Sequence, residues 1–541
     1  KKSVEEVYKS FHEGFLETFK GYGITYDLFT STHTENHFKV SQSIFLALQK
    51  NGFLFTKVEP QWFSPGLNKF LPDRYIEGTC YICGLDGARS DQCDKCGNVL
   101  DPDKLLDPKS KWSGDVSTPE LRETEHFYID LSKLEPQVVE FLKARADHMR
   151  ETVLGESLGK INAEGLKPRP ITRDLDWGIP VPVAGWEGKV LYVWFEAVIG
   201  YLSAAIEWSK ISGGDWKDWW SNPAAKHYHF IGKDNIFFHT SLWPAELMGV
   251  GEQFAEIFSG EQGVPLTLPY DVPANQFMNL EGDKISGSRN WAVWGRDALS
   301  RYDPDALRYY LTVNMPEAKD SDWDWNEFVT RNNGELVATW GNLANRVLSF
   351  TFKHWEGHAP TIPFDAAQGA NLREADKTLL ATIEGGFQTV GELYNNVKLR
   401  DALKECFRLA TEVNRYLDAN APWTAIKTDK DSAALTIYTA LKTIDSLKVL
   451  FAPILPFTSE KLHTFFGYET PLFGEQYTEE ISDSLGTHTG LRYRPVGRDS
   501  IPPYQWQPSA LKPGAPLNQP GPLFKKLEEK IIEEERGRLG K

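Results

Sequence analysis

Apolar residues change their rhythm once along this chain, near residue 330. Beyond that point three segments repeat with helical spacing. Leu336, Trp340, Leu343 and Val347 stand four, three and four apart. Ala402, Cys406, Leu409, Val413 and Leu417 follow the same rule, as do Leu441, Ile444, Leu447 and Phe451. Such a stripe is the buried face of an amphipathic helix, so 331–480 is expected to be an all-α bundle. A proline-rich tail follows and ends in the charged helical stretch KKLEEKIIEEERGRLGK. A tail of that composition is expected to wrap the surface in extended form.

Before residue 330 the runs are shorter and mixed. Residues 1–50 read as helix, short strand (24–29) and helix (35–49), while 52–125 is rich in Gly, Pro and Asp and reads as an irregular inserted module. A helix over 137–151 precedes the extended TRDLDWGIPVPV. From Lys189 the pattern is α/β: VLYVWF as strand, AVIGYLSAAIEW as helix, HFIG as strand, NIFFHTSLWPAELMG as helix. Short strands and turns fill 268–330, with helices near 297–301 and 305–314. No internal repeat is visible.

At 541 residues the chain is too long for a single core, so two to four domains are expected. A net charge of −16 excludes a general basic coat, so any nucleic-acid contact must be local; Lys284, Arg289, Arg346 and Lys353 are the candidates. No apolar run reaches the length of a membrane span, and KKSVEEVYKSFHEGF lacks the apolar core of a signal peptide. Four of the five cysteines fall within 80–96, which points to a metal site in a reducing compartment and not to a disulfide framework.

Those four form Cys80-x2-Cys83-x9-Cys93-x2-Cys96. Two Cys-x2-Cys turns complete a tetrahedral all-sulfur shell for zinc, with Gly84 and Gly97 supplying permissive backbone after each pair. A closed shell leaves no open position for substrate, so its role is structural. The alternative, four unrelated free thiols, is remote at this spacing. Cys406 sits in a bundle stripe and reads as a buried apolar residue.

The segment HFIGKDNIFFHTSLWP reads as a strand, a Gly-Lys-Asp turn and an amphipathic helix. Ligands gather at such turns because free N–H groups converge there. Lys233 and Asp234 occupy the turn, and His239 and Trp243 share a helix face. Trp194, Ala197 and Tyr201, at i, i+3 and i+7, would line one wall of a narrow apolar pocket; the bland alternative for each is core packing. Lys284-Ile285-Ser286-Gly287-Ser288-Arg289 places two cations and two hydroxyls on a polar loop suited to a polyphosphate, although most charged loops are merely solvated. Asn342 and Arg346 lie about 90–130° from the centre of their apolar stripe and can face solvent or a ligand. Pro422-Trp423 sets an indole on a turn, where it can stack on an unpaired base or anchor the core.

Taken in order, FLPDRYIEGTC with its knuckle, ITRDLDWGIPVPV, VLYVWFEAVIGY, HFIGKDNIFFHTSLWP, the KISGS loop, GNLANR and NAPW resemble the methionyl-tRNA synthetases, a family of class I aminoacyl-tRNA synthetases. The resemblance implies an α/β Rossmann-type catalytic domain with a zinc-knuckle insertion, followed by an all-α anticodon-binding helical bundle. The implied segments are 1–50 (remainder of the first Rossmann half), 51–188 (connective insertion), 189–267 (second half), 268–330 (stem-contact fold with the KISGS loop), 331–480 (anticodon-binding domain) and 481–541 (tail and C-terminal helix). It assigns Trp194, Ala197, Tyr201, His239 and Trp243 to a methionine pocket. Asp234 falls in the adenosine-ribose region, and Arg173 matches an active-site arginine near the triphosphate. Lys284, Ser286 and Ser288 match the loop that grips ATP, and Asn342, Arg346, Pro422 and Trp423 match the anticodon readers.

The implied activity is a methionine–tRNA ligase using ATP with Mg²⁺, methionine and tRNA(Met). It would carry structural Zn²⁺ and work as a cytoplasmic monomer without DNA or membrane partners. No Ser/His/Asp set is present, and adenylate chemistry needs none. Two departures stand out. No two histidines are three apart, so the family's His-x-Gly-His element is absent. Residue 1 is then expected to fall inside the Rossmann domain, and activity of this chain alone is expected to suffer. Gly287 also stands where the family's loop carries a second lysine, and Arg289 is expected to supply part of that charge. The competing readings are a class I enzyme for isoleucine, valine or leucine, for which the insertion looks too small to hold an editing domain, and a catalytically impaired tRNA-binding protein derived from a synthetase.

Overall fold

The computed structural model describes residues 2–540 apart from 73–74, 91–92, 94–95, 97–99, 101–103, 113, 363, 366–368, 371 and 497–505. Gly97 therefore lies outside the described residues. The chain divides into two compact units. One, the α/β unit, comprises Thr32–Ala274 with Ser482–Thr487; the other, the helical unit, comprises Lys1–Ser31, Asn275–Ile481 and His488–Lys541. The segment 1–50 is thus shared between them.

In the α/β unit the central helix is Glu35–Lys50. Thr34 caps it, its side chain accepting from the His37 N–H at 3.0 Å. Val40, Ile44, Phe45, Ala47 and Leu48 form its buried face, which packs on the helices Gly200–Ser212, Trp243–Val250 and Gln253–Ser259.

The insertion is more ordered than its composition implies. Its strands are β1 (Leu54–Ser64), β2 (Lys69–Phe70), β3 (Ile76–Thr79), β4 (Ala88–Arg89), β5 (Leu106–Ser110), β6 (Glu120–Ile129) and β7 (Arg169–Pro170). β1 runs antiparallel to β6 from Leu54↔Ile129 to Phe63↔Glu120, within a sheet of order β2-β1-β6-β7. The irregular module expected over 52–125 is corrected here. LFTKVEPQWFS exposes most of its first half, so no apolar alternation marks it, and its partner lies beyond the knuckle. The strands of a second sheet, β4-β3-β5, flank the cysteines in sequence.

Two further expectations change. The single helix expected over 137–151 is two, Glu135–Lys143 and Glu151–Glu164. Between them Arg145 Nε donates to Pro269 O (2.7 Å), His148 Nε2 bonds Tyr270 O (2.9 Å) and Arg150 Nη1 donates to Ala274 O (2.7 Å), which turns the backbone away from a helix. VLYVWF is a strand only at Val190–Leu191, paired with Thr172–Arg173. Helix begins at Val193 and continues through a 3₁₀ turn at Ala197–Ile199 into Gly200–Ser212. Six apolar residues cannot tell strand from buried helix; here Phe195, Val198, Ile199, Leu202 and Ile206 enter the core at helical spacing.

In the helical unit every residue of the three predicted stripes is buried. The helices are Asn342–His354, Glu374–Asn395, Leu399–Asn420, Lys430–Phe451 and Pro456–Phe465. The first is preceded by a π-helical stretch, Asn332–Gly341, that the sequence does not announce. Strands Glu475–Asp483 and Gly486–Arg494 form a hairpin that replaces the end of the expected all-α segment 331–480 and the start of the expected extended tail. The strand expected over 24–29 is absent except for a bridge from Phe29 to Leu491, and the terminal helix shortens to Lys530–Arg536.

Arg308, on the helix Pro304–Val313, binds this unit together. Its Nε and Nη2 donate to Ile454 O and Pro453 O (both 2.8 Å), and its Nη1 donates to Tyr22 O (2.9 Å), at the C-cap of the helix Val4–Gly21. Replacing it strands three carbonyls. Arg308→Ala should cost about 2–5 kcal/mol, read as a lower urea midpoint for this unit; an unchanged midpoint would show that water replaces the guanidinium.

Candidate active site, metal centre and nucleic-acid interface

The four thiols of the knuckle converge. Their Sγ atoms lie within 4.8 Å of one another, and Cys83 Sγ is 3.6 Å from Cys93 Sγ. Tetrahedral zinc with Zn–S bonds of about 2.3 Å needs sulfurs about 3.8 Å apart, so the donor set fits the ion. The first turn closes by Cys80 N–H to Leu85 O (2.8 Å) and Gly84 N–H to Cys80 O (2.9 Å), with Gly84 at φ 72°. Trp62, Leu71, Ile76, Ala88, Leu100 and Leu105 pack a small core around Cys80 and Cys93.

Within the α/β unit the helical turn after Leu191 and the turn after Ile231–Gly232 meet. Tyr201 Oη lies 2.8 Å from His239 Nε2. His239 Nδ1 faces Asn235 O at 3.0 Å, and a carbonyl only accepts, so Nδ1 carries the proton and Nε2 accepts from the Tyr201 hydroxyl. Trp194 stacks on Phe238, ring centroids 4.5 Å apart at 12°. Trp194, Ala197 and Tyr201 are exposed along one helix face. Phe238–Leu242 is a π-helical turn, a geometry frequent at functional sites, and it carries His239. Trp243, one turn on, is fully buried and meets Trp220 edge-on, so it backs the site from the core.

Asp234 is exposed on the Lys233–Asn235 turn, and a Cβ on Gly232 would come 2.7 Å from its Oδ1. A side chain at 232 would therefore displace the Asp234 carboxylate from its present rotamer. Arg173 lies over the Tyr192 ring at 3.7 Å and donates to Thr172 O at 2.9 Å.

His229 was not singled out by the sequence and belongs to this cluster. It is buried, its ring 4.6 Å from Tyr201 and 5.7 Å from His239. Burial first, then the neighbouring His239 and His227, push its imidazole down to about 3. Burial likewise lowers His239, against the opposing pull of Asn235 O, and raises Tyr201. The site is thus built from neutral rings. The signal available in the sequence was the pair of histidines flanking the Gly-Lys-Asp turn.

In the helical unit, the loop with Lys284 spans left-handed residues Glu281 (φ 50°) and Asn290 (φ 51°). Ser286 and Trp291 exchange backbone bonds of 2.9 Å, enclosing a 3₁₀ turn at Gly287–Arg289. Lys284 and Arg289 are exposed, and Arg289 Nη2 donates to Lys284 O at 3.2 Å. Nothing is described for the Ser288 side chain.

Elsewhere in that unit Arg346 lies over the Trp423 ring at 4.8 Å and donates to Asn414 Oδ1 at 3.3 Å. Trp423 meets Phe350 edge-on at 4.9 Å. Pro422 is buried and follows Ala421, whose φ of 36° turns the chain sharply after the helix Leu399–Asn420. Asn342 is exposed one helical turn before Arg346. A guanidinium and an indole are thus held together on a surface, as a single-stranded base requires. Phe350 and Asn414, which brace them, were not anticipated.

Residues 1–348 match the family model described as tRNA synthetases class I (M), and residues 366–489 match the anticodon binding domain of methionyl tRNA ligase. The chain belongs to the methionyl-tRNA synthetases. Among its relatives, a methionine–tRNA ligase of Thermomicrobium roseum is 50% identical over 540 residues, 99% of this chain and 88% of that protein. Another from Roseiflexus castenholzii is 46% identical over 545 residues, again 99% and 88%. A solved Mycobacterium tuberculosis methionyl-tRNA synthetase bound by methionyl-adenylate shares the fold, with a TM-score of 0.67 over 94% of this chain and 85% of its own at 21% identity. The match to the methionine branch of class I answers the alternative of an isoleucine, valine or leucine enzyme. No described helix is long and apolar enough to cross a membrane.

The depressed His229 has a consequence for acid stability in this synthetase. Above pH 6.5 both folded and unfolded imidazoles are neutral. Below it the unfolded chain takes up a proton that the folded chain refuses, so stability falls by about 1.4 kcal/mol per pH unit down towards 3. Urea unfolding at pH 7 and pH 5 should show this slope and a shallower one for His229→Gln; equal slopes would mean His229 protonates in place.

Proposed function

We propose that this chain activates methionine with ATP and passes the methionyl group to tRNA(Met). Its Tyr201–His239 pair would hold the thioether. The observation that carries the reading is the 2.8 Å bond between Tyr201 and a neutral His239, beside the exposed Trp194–Phe238 stack. A polarizable sulfur packs well against aromatic rings. A side-chain pocket built of neutral rings also disfavours amino acids whose side chains are charged, since that charge would be desolvated unpaired.

In the first step a methionine carboxylate oxygen attacks the α-phosphorus of ATP. The bond from that phosphorus to the bridging oxygen breaks, and pyrophosphate leaves with the electron pair. Lys284, Ser286, Ser288 and Arg289 would neutralise and orient the phosphates, with Arg173 near the triphosphate, Asp234 on the ribose, and Mg²⁺ arriving with ATP. In the second step a hydroxyl of the terminal tRNA adenosine attacks the methionyl carbonyl and AMP leaves. Such chemistry rests on positioning and charge. Zinc on Cys80, Cys83, Cys93 and Cys96 would hold the knuckle together. Asn342, Arg346, Pro422 and Trp423 would read the anticodon. We place the reaction in the cytoplasm, on a monomer without DNA or membrane partners, in keeping with the absence of a general basic coat.

Methionine-dependent ATP–pyrophosphate exchange in the full-length enzyme tests the first step. Methionine should drive it in preference to isoleucine, valine or leucine. Lys284→Ala should slow it roughly 10–150-fold, the worth of one charge-assisted contact, and Arg289→Ala should fall in the same direction because Gly287 offers no charge. An unchanged rate in Lys284→Ala would remove the loop from the mechanism.

The anticodon assignment is tested separately. Trp423→Ala should weaken tRNA(Met) in aminoacylation by about 5–150-fold, the worth of one stacked base, and leave pyrophosphate exchange intact. Equal charging by variant and parent would show that the indole serves the core.

A further inference from the structure

The charged stretch at the C-terminal end of the sequence carries none of the assigned roles. Its helix, Lys530–Arg536, has one buried carboxylate, Glu535, which takes Tyr302 Oη (2.9 Å) and Arg301 Nη2 (3.1 Å). That anchor seats the helix against the end of the helix Gly295–Arg301. From this seat the segment reaches back to the Lys284 loop at both of its ends. Arg536 Nε donates to Glu281 Oε2 at 2.7 Å, and the Gly540 N–H donates to Asn290 O at 3.0 Å.

Glu281 and Asn290 are the left-handed residues that bracket the loop. Asn adopts that conformation readily, but Glu rarely does, so Glu281 is held there by its surroundings and not by its own preference. At Glu281 the surroundings are explicit. Oε2 meets Arg536, Oε1 accepts from Trp325 N–H (2.8 Å), and its own N–H donates to Trp323 O (2.9 Å). At the other end Trp291 Nε1 donates to Leu280 O (2.9 Å), and Gly540 lies against the Trp291 ring.

We infer that the segment 530–540 is a clasp that sets the conformation of the loop 281–290, with Arg536 a positioning residue that acts through Glu281 on Lys284. Arg536 acts on the hinge and is given no contact with the phosphates. It fixes the strained hinge at Glu281 while Gly540 holds Asn290, and the cationic face between them is presented in one arrangement. The inference rests on the reading of Lys284 as a phosphate contact, but the clasp itself is separately observable. Lys284 and Arg289 are tryptic sites inside the loop, so cleavage there reports loop order whatever the loop does in catalysis.

The test uses the full-length enzyme with Arg536→Ala, Arg536→Lys, Glu281→Gln and the Arg536→Ala/Glu281→Gln pair. Arg536→Ala should lower kcat for pyrophosphate exchange about tenfold, the worth of one charge-assisted bond, with KM for methionine held within about twofold. Cleavage after Lys284 and Arg289 should quicken by a similar factor while other tryptic sites keep their rates. Glu281→Gln keeps the Oε1 acceptor for Trp325 and should reproduce the defect without unfolding the chain. The double variant should be no worse than either single one, and Arg536→Lys should recover part of the rate. Parental cleavage rates in Arg536→Ala and Glu281→Gln would overturn the clasp, as would faster cleavage at every site together. If cleavage rises at the loop alone but Lys284→Ala leaves exchange intact, the clasp stands and the phosphate reading falls.

Discussion

Every departure from regular helix or strand frees backbone groups, and each freed group must find a partner or be solvated. That constraint governs this molecule, because its candidate site residues sit on irregular backbone. His239 rides a π-helical turn, Asp234 a 3₁₀ turn, and Lys284 lies in a loop bounded by two left-handed residues. Trp423 follows a left-handed alanine. The partners come from side chains, some near in sequence and some remote. His239 bonds Asn235 O, Trp291 bonds Leu280 O, and Arg308 gathers three carbonyls at the end of a bundle helix and at Tyr22. Arg145, His148 and Arg150 do the same for the strand-poor stretch 269–274. The candidate site is a set of distortions, and apart from His239 the donors that hold them, Trp291, Arg308, Arg145, His148 and Arg150, carry none of the proposed roles.

Legibility in the sequence follows the same division. Where structure is local, it could be read. The bundle stripes depend on residues three and four apart, and all of Leu336 to Val347, Ala402 to Leu417 and Leu441 to Phe451 in those stripes are buried. The knuckle spacing likewise foretells converging thiols. Where structure depends on a distant partner, the reading ran out. β1 is a strand because β6 pairs with it across the whole knuckle, and in the strand Glu475–Asp483 the half-buried positions include Glu479 and Asp483, so neither shows a clear apolar alternation. Of the site, Tyr201 and His239 could be anticipated as residue types. Their contact with His229 could not, since it depends on where a short strand is anchored to Asp271.

Charge is handled locally. The whole chain is acidic, at −16, yet its candidate polyanion contacts are cations presented singly or in pairs. Arg289 leans on a carbonyl, and Arg346 leans on an amide and an indole, with Asp418 at 4.0 Å its nearest carboxylate. A cation held mainly by neutral groups keeps most of its field for a ligand. The acidic remainder discourages indiscriminate adsorption of nucleic acid, so tRNA must be recognised at defined points.

Cys406 lies in the bundle core, fully buried, its Sγ 3.6 Å from Leu450 O, and burial pushes the thiol well up from its ordinary value. It is thereby silent towards alkylating reagents in the native protein. The other four cysteines of this sequence belong to the knuckle. If the knuckle holds an ion, native thiol titration becomes a gauge of its occupancy: reagent consumed by the folded chain would count the uncoordinated sulfurs of those four, with the bundle cysteine shielded from it.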